Sequence, residues 1–308
     1  MVKRFEDFWD EMTGKQQNAF HMKVWGALGS PEEREASFRR LMAGEIRLVM
    51  EEAACVLFDR HGRRIPPQGM KTSVVDADRN FYLDQKVMKL EDYGLRLTLA
   101  AGYLGRSIAI DPEEFVDRAN ALRERIRGDE RLANLLHGVH LPIALPQIAI
   151  GDYGTALEVV FLPAVGRSYE IAFPGRKFYN HRRGTLAGQV TVAEGSRHCD
   201  LLAAMVAGPV VGLYFPTALQ GYSALACLEQ MAILPDNTLL AGALEPAMAL
   251  IMYPDILARH GQTPSLDCTA LHWQGGSLYF RADGDDLDFS GRSLDAYRSC
   301  SGGLVVLG

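Results

Sequence analysis

The chain has 308 residues, of which 48% are hydrophobic and 23% are charged. This composition supplies a large core and excludes an intrinsically disordered chain. The net charge of -6 at pH 7 provides no basic surface of the kind that nucleic acids need, so no nucleic-acid partner is expected.

The five cysteines stand far apart and form no Cys-x-x-Cys pair. This spacing argues against a disulfide framework and against a zinc ribbon. The first residues carry charge but no apolar core that would act as a secretory signal. The sequence therefore favours the reducing cytoplasm as the location.

The first half of the chain predicts helices. Ser30-Pro31-Glu32-Glu33 and Asp111-Pro112-Glu113-Glu114 each place a capping residue before proline and follow it with glutamate. The helix after the second of these segments ends at Gly128. Leu90–Leu104 has helical periodicity, and residues 129–137 predict another short helix. The helix predicted after Asp111 carries one apolar stripe, made of Phe115, Ala119, Leu122 and Ile126.

The pattern changes near residue 147. The two prolines in residues 141–146 predict an extended connector, which divides the chain into a mainly helical domain, 1–147, and an α+β domain, 148–308. Strand-like runs follow at 156–162, 168–173 and 185–193. Apolar helices are then expected at 200–207, 217–234 and 237–259, the last kinked by prolines.

Near the C-terminus, Asp283-Gly284-Asp285-Asp286 predicts a hairpin turn between two strands, and residues 303–307 predict a buried final strand. This order predicts an α+β fold. A helical N-terminal part precedes a mixed, largely antiparallel sheet with apolar helices packed on it.

Residues 201–228 carry no formal charge and are long enough to cross a bilayer. Gly208-Pro209 and Pro216 would break such a helix, and no cluster of Lys or Arg flanks the run. We therefore expect no membrane span. A buried core is favoured, with a partner surface as the alternative.

The segment Gly195-Ser196-Arg197-His198-Cys199-Asp200 predicts a tight turn between a strand and a helix. Unpaired amides and the helix dipole at such a start can hold an anion. In this hypothesis Ser196 caps the helix and Arg197 binds the anion through two hydrogen bonds, while Cys199 is a candidate nucleophile. The alternative is a simple cap with solvated Arg and His. In the anion-site hypothesis, the double substitution Arg197→Ala with His198→Ala is expected to abolish ligand binding while leaving the melting temperature nearly unchanged.

Residues 176–183 form a second candidate site, a basic segment with interleaved aromatic residues. A positive rim of this kind attracts anionic ligands, and its rings can stack on a ligand ring. The alternative is a solvated loop or edge strand, in which positive charge prevents aggregation. Its candidate ligand-binding residues are Arg176, Lys177, Arg182 and Arg183, together with His181 as a candidate acid or base.

Two functional hypotheses follow. The first is an enzyme or binding protein for a small anionic molecule that bears a phosphate or carboxylate; His198, His181 and Cys199 are the catalytic candidates. The second is a non-catalytic interaction or assembly protein that buries a partner, or a second copy of the chain, on residues 201–258. The hydrolase pattern Gly-x-Ser-x-Gly is absent, no metal-ligand set is predicted, and no particular cofactor is indicated.

Overall fold

A computed structural model describes residues 13–27, 34–43, 45, 56–75 and 90–308. The chain forms two compact units, residues 1–53 and 54–308. The described part of the first unit contains α1 (Gly14–Ala27) and α2 (Arg34–Met42), on which the rings of Trp25 and Phe38 lie 5.9 Å apart. The helix start predicted at residues 30–33 lies outside the described residues.

The second unit begins its helical part with α3 (Leu90–Leu104) and α4 (Pro112–Gly128), followed by a 3-10 turn, Ala133–His137. The Asp111 carboxylate accepts the backbone N–H of Glu114 at 2.8 Å, which confirms the predicted cap. The predicted stripe from Phe115 to Ile126 is buried. These local signals therefore placed both helices correctly.

The main sheet of the described chain has eight strands and mixed, largely antiparallel pairing, which confirms the α+β class. Its strands are β1 (Leu141–Leu145), β2 (Phe178–Asn180), β4 (Val210–Gln220), β5 (Thr238–Leu240), β6 (Ser265–Asp267), β8 (Ser277–Asp283), β9 (Asp286–Arg292) and β10 (Cys300–Leu307). Their order in the sheet is β1-β4-β10-β6-β8-β9-β2, with β5 paired to β10. A separate antiparallel pair is formed by β3 (Val190–Val192) and β7 (Leu271–Trp273).

The predicted connector at residues 141–146 is instead the edge strand β1, which is buried throughout and pairs only with β4. An edge strand tolerates Pro142 because the missing N–H can face away from the ladder. The core of the second unit spans the predicted division at residue 147 and includes both Phe115 and Val306. The division itself stays a prediction.

Two runs predicted as strands, 156–162 and 168–173, are helical. The chain forms α5 (Tyr153–Ala156), one π-helical turn (Leu157–Phe161) and α6 (Leu162–Ala172). Asp152 caps this helix by accepting the N–H of Thr155 at 2.7 Å. Four residues at four-residue spacing are buried, which is a helical period: Leu157, Phe161, Val165 and Tyr169. The two predicted strands were each too short to show this period.

The helix predicted over 200–207 is present as α7 (His198–Ala207). The prediction of a helix over 217–234 was wrong in its first part. Residues 210–220 form the strand β4, and within 217–234 the helix is α8 (Ala224–Gln230). Residues 237–259 split into β5, α9 (Leu244–Met252) and α10 (Pro254–Leu257). Within 185–193, the stretch 190–192 is the strand β3.

The C-terminal strands confirm the prediction. β8 and β9 pair antiparallel, with Asp283 opposite Asp286 and Gly284 at φ 60° in the turn. β10 is almost entirely buried and lies between β4 and β6. Across the described ranges, the helices are too short or too polar to cross a membrane.

Candidate functional site

The predicted strand, turn and helix at residues 190–207 are present, with Arg197 at the turn. Arg197 has φ 59° and immediately precedes the first residue of α7. The buried Ser196 hydroxyl donates to the carbonyl of Ala193 at 2.7 Å and accepts the N–H of His198 at 3.3 Å. The Ser196 hydroxyl therefore forms hydrogen bonds within the turn, and it is buried rather than exposed to a ligand.

The Arg197 guanidinium is engaged by backbone carbonyls. Its Nη1 donates to Pro235 and Thr238, and its Nη2 donates to Met231 and Leu234, over 2.5 to 3.1 Å. These four hydrogen bonds connect the start of α7 to residues 231–238, which form the loop before β5 and the first residue of that strand. Arg197 is thus occupied by the fold rather than presented to a ligand.

His198 points into the core, between a phenol and a carboxylate. Its Nε2 lies 3.0 Å from the Tyr153 hydroxyl, and its Nδ1 lies 3.2 Å from Oε1 of Glu245. The side chains of His198 and Glu245 have no exposed surface. The Nδ1 and Oε1 atoms are close but not aligned as a hydrogen bond, so this contact is mainly electrostatic.

The backbone completes this buried group. The Tyr153 hydroxyl accepts the N–H of Ala243 at 3.1 Å, and Glu245 Oε2 accepts the N–H of Gly242 at 3.1 Å. Because Tyr153 accepts from the backbone, its own proton is free to be donated to His198 Nε2. Burial, and secondarily the nearby Glu245 carboxylate, raises the pKa of Tyr153 well above its usual value.

A phenol, an imidazole and a carboxylate in line can pass a proton, but these three are enclosed. A Cβ at Gly242 would lie 2.5 Å from both His198 Cε1 and the Tyr153 hydroxyl, so the space between them is filled. The pattern at residues 195–200 indicated His198 but neither of its partners, Tyr153 and Glu245. The available signal was Glu245 itself, a lone carboxylate inside the apolar run 239–252.

Cys199, the second residue of α7, is an exposed free thiol. Its predicted cationic neighbours are engaged elsewhere, Arg197 by carbonyls and His198 by Glu245. The arrangement gives the thiol no visible base or orienting partner among the described residues.

The basic segment runs through β2, at one end of the main sheet, beside β9. Two of its four cations, Arg176 and Lys177, and the imidazole of His181 have acidic partners on neighbouring elements. Arg176 lies 3.1 Å from Asp285, and the ammonium of Lys177 lies 3.7 Å from Glu170. The β9 strand supplies a third acid, Asp288, whose Oδ1 lies 3.1 Å from His181 Nε2. The chain therefore neutralises much of the predicted positive rim.

The last two arginines of the segment differ from each other. Arg182 lies with its guanidinium 4.8 Å from the centre of the Trp273 ring and donates to the Ser290 hydroxyl at 3.1 Å. Arg183 is exposed and, within the described part of the chain, makes no ion pair or hydrogen bond. Arg183 is thus the cation of this segment that is open to a ligand.

Arg183 lines a surface depression of about 690 Å³. Its walls combine two aromatic rings with aliphatic groups, one side-chain amide and one carboxylate, from Glu158, Leu162, Pro163, Phe178, Tyr179, Asn180 and Gly184. The Tyr179 ring also stacks on His181, with ring centres 6.1 Å apart. Four residues of the basic segment, Phe178, Tyr179, Asn180 and Arg183, thus meet two helical residues, Glu158 and Leu162, for which the sequence predicted a strand.

Glu158, in the π-helical turn, binds the backbone amides of the three residues that follow Arg183. Its Oε1 accepts the backbone N–H groups of Gly184, Thr185 and Leu186 at 2.6, 3.1 and 3.3 Å. Successive amides that converge in this way form an anion-binding nest. The amides of residues 184–186 therefore converge on one oxygen of the protein's own Glu158 carboxylate.

The two candidate sites share no direct polar contact in the described chain. Neither Arg197 nor His198 shares a hydrogen bond or ion pair with His181, Arg182 or Arg183 within the described ranges. In the same ranges, no three His, Cys, Asp or Glu side chains are grouped so as to hold a metal ion.

Comparison of this chain with models of protein families, with curated proteins and with solved structures found no match.

Proposed function

We propose that this chain binds a small molecule carrying a phosphate or carboxylate in the depression beside Arg183. The observation that carries the proposal is the different environment of this one guanidinium. Its neighbours in the basic segment are held by acids or by Trp273, whereas Arg183 lines a concave surface without such a partner in the described chain. Charge-assisted hydrogen bonds from a free guanidinium are the usual means of holding such anions.

The walls of the depression support a ligand with an apolar or aromatic body. Phe178 and Tyr179 present rings, and Leu162 and Pro163 add aliphatic surface. Ligand sites combine such surfaces with a few polar groups that fix orientation. An anionic head at Arg183 and a ring against Tyr179 would satisfy both parts of the site.

For a bound molecule that is also transformed, His181 is the candidate acid–base group; it does not line the depression itself but lies beside Tyr179, which does. Its ring stacks on Tyr179, and Asp288 holds its Nε2. An imidazole oriented by a carboxylate is a common general base. His198 is less favoured in this role because no part of its side chain is exposed.

The second hypothesis, a partner surface on residues 201–258, is less favoured. All residues of β4 and α9 are buried in the core of the chain. The large apolar side chains of this region that remain exposed are Val206, Leu225 and Ile233, within the part of the chain that the structure describes. Three separate residues do not make the contiguous apolar patch that a partner requires.

Calorimetric titration and thermal shift with inorganic phosphate, phenyl phosphate and benzoate test the proposal. A ligand that binds the folded state raises the melting temperature by mass action. Arg183→Ala is expected to weaken binding about ten-fold or more, the scale of one charge-assisted contact. Arg176→Ala is the matched control, since Arg176 is paired with Asp285 and does not line the depression.

The proposal fails if none of the three anions binds at millimolar concentration. It fails equally if the Arg183 and Arg176 variants lose the same affinity, because binding would then reflect only the general charge of the segment.

A further inference from the structure

The side chain of Glu158 lies where an anionic ligand would be expected to bind. One oxygen takes three backbone donors from consecutive residues, Gly184, Thr185 and Leu186, and the Thr185 N–H is shared with the carbonyl of Arg182 at 3.0 Å. Gly184 adopts φ 75°, a left-handed conformation that helps successive amides to converge. The same Glu158 and Gly184 line the depression that holds Arg183.

We propose that Glu158 is a built-in competitor of the ligand, and that the phosphate of a phosphomonoester displaces it from the amides of residues 184–186. This inference rests on the proposed function, since it assigns the ligand class and the regulation of that same site. The displaced carboxylate would move toward solvent, which is inexpensive because Glu158 is only half-buried.

The donor set favours a phosphate over a carboxylate. Three amides already converge on one oxygen position, and the Arg183 guanidinium adds donors beside them. A phosphomonoester offers three terminal oxygens and carries a charge of about -1.5 to -2 at neutral pH. A carboxylate ligand would bring no more charge than the glutamate that it must displace, whereas a phosphate brings more.

The local helix geometry supports displacement. Glu158 lies in the π-helical turn Leu157–Phe161, between the α-helical segments α5 and α6. Single π-helical turns are rare and occur frequently at functional sites. A π-helical turn contains one more residue than an α-helical turn. If this turn rewound as an α-helix, the Glu158 side chain would rotate around the helix axis.

Amide resonances of the unmodified protein provide the first test. In a ¹⁵N-labelled sample titrated with phenyl phosphate, the N–H signals of Gly184, Thr185 and Leu186 are expected to shift together with binding. This measurement needs no substitution, so it is independent of whether a variant folds.

Variants provide the second test. Glu158→Gln removes the charge of the competitor and is expected to tighten the binding of phenyl phosphate by about five-fold or more. Glu170→Gln is the matched control, because Glu170 lies on the next helical segment, pairs with Lys177 and does not line the depression. The control removes the same charge and reports the general electrostatic effect of doing so.

The outcomes separate the two proposals. Binding that depends on Arg183, with the three amide signals unmoved and both Gln variants equal, overturns the competitor role and leaves the proposed function intact. Phenyl phosphate that binds neither the native protein nor the Glu158→Gln variant overturns both. Shifted amides together with tighter binding in the Glu158 variant alone support the inference.

Discussion

Arg197→Met is expected to destabilise the protein strongly, although Arg197 lies in a surface turn. Methionine keeps the aliphatic length of the side chain and removes the guanidinium. The carbonyls of Met231, Leu234, Pro235 and Thr238 then lose a shared donor. This expectation reverses the sequence-based one, in which Arg197 could be replaced at little cost.

The magnitude follows from the four bonds. A hydrogen bond to a charged group contributes about 1.5 to 3 kcal/mol, but bonds from one guanidinium are not additive. The side chain is 21% exposed, so water replaces part of what is lost. We expect a loss of roughly 3 to 4 kcal/mol in the free energy of unfolding, which corresponds to about 10 °C in melting temperature for a unit of this size.

Urea unfolding followed by circular dichroism measures this loss, with Arg183→Met as the matched control. Arg183 is exposed and makes no ion pair within the described residues, so its replacement is expected to change stability by less than about 0.5 kcal/mol. Arg197→Gly adds a second comparison, because glycine accepts φ 59° without strain and should be about 1 kcal/mol more stable than the Met variant.

Equal stability of the Arg197→Met and Arg183→Met variants would refute this account. The carbonyl contacts would then contribute nothing measurable, and Arg197 would again be available as a ligand-binding residue.

Two further substitutions test the buried polar groups. Gly242→Ala places a Cβ 2.5 Å from His198 Cε1 and should cost about 1 to 3 kcal/mol in urea unfolding, whereas Gly102→Ala, with open space around it, should not destabilise. Burial, opposed by the Arg292 charge, raises the pKa of Asp267 to about 7 from an ordinary value of 3.8. The folded state therefore keeps a proton that the unfolded state has released, and stability should fall as pH rises from about 4 to about 7, by at most roughly 4 kcal/mol. Asp267→Asn should flatten that decline, and an unchanged slope would show that Asp267 does not titrate there.

The elements that the sequence predicted well depend on signals within a few residues. Helix α4 has its cap at Asp111, its proline at the next position and its apolar stripe within one window. The β8–β9 hairpin likewise has its turn residues between two alternating runs. In both cases the local preference and the final burial agree, so no distant contact had to be known.

The elements that were mispredicted are short apolar runs whose state depends on distant partners. The run that became β4 contains eleven consecutive buried residues and pairs with β1 on one side and β10 on the other. β10 lies about 90 residues further along the chain. Such a run has no periodicity to separate a buried strand from a buried helix, so pairing decides between them.

The same limit applies to the direction of side chains in the predicted turn. The sequence located the turn at residues 195–200, but His198 is drawn inward by Glu245 and Arg197 by the loop at residues 231–238. These partners lie more than 30 residues away in the sequence. A motif that indicates a helix start therefore does not reveal whether its polar side chains serve a ligand or the core.

Pairing also explains why a run of positive charge need not act as a single anion site. A cation that contacts a carboxylate presents little net charge to a third group, because the attraction of one is offset by the repulsion of the other. Asp285, in the turn before β9, pairs with Arg176, and Asp288, in β9, lies beside His181; both carboxylates come more than 100 residues later in the chain. The attraction for an incoming anion is then concentrated at Arg183. Glu158, a carboxylate that lines the same depression, is held by three amides, so in the proposed site a ligand would compete for those amides as well as for the guanidinium.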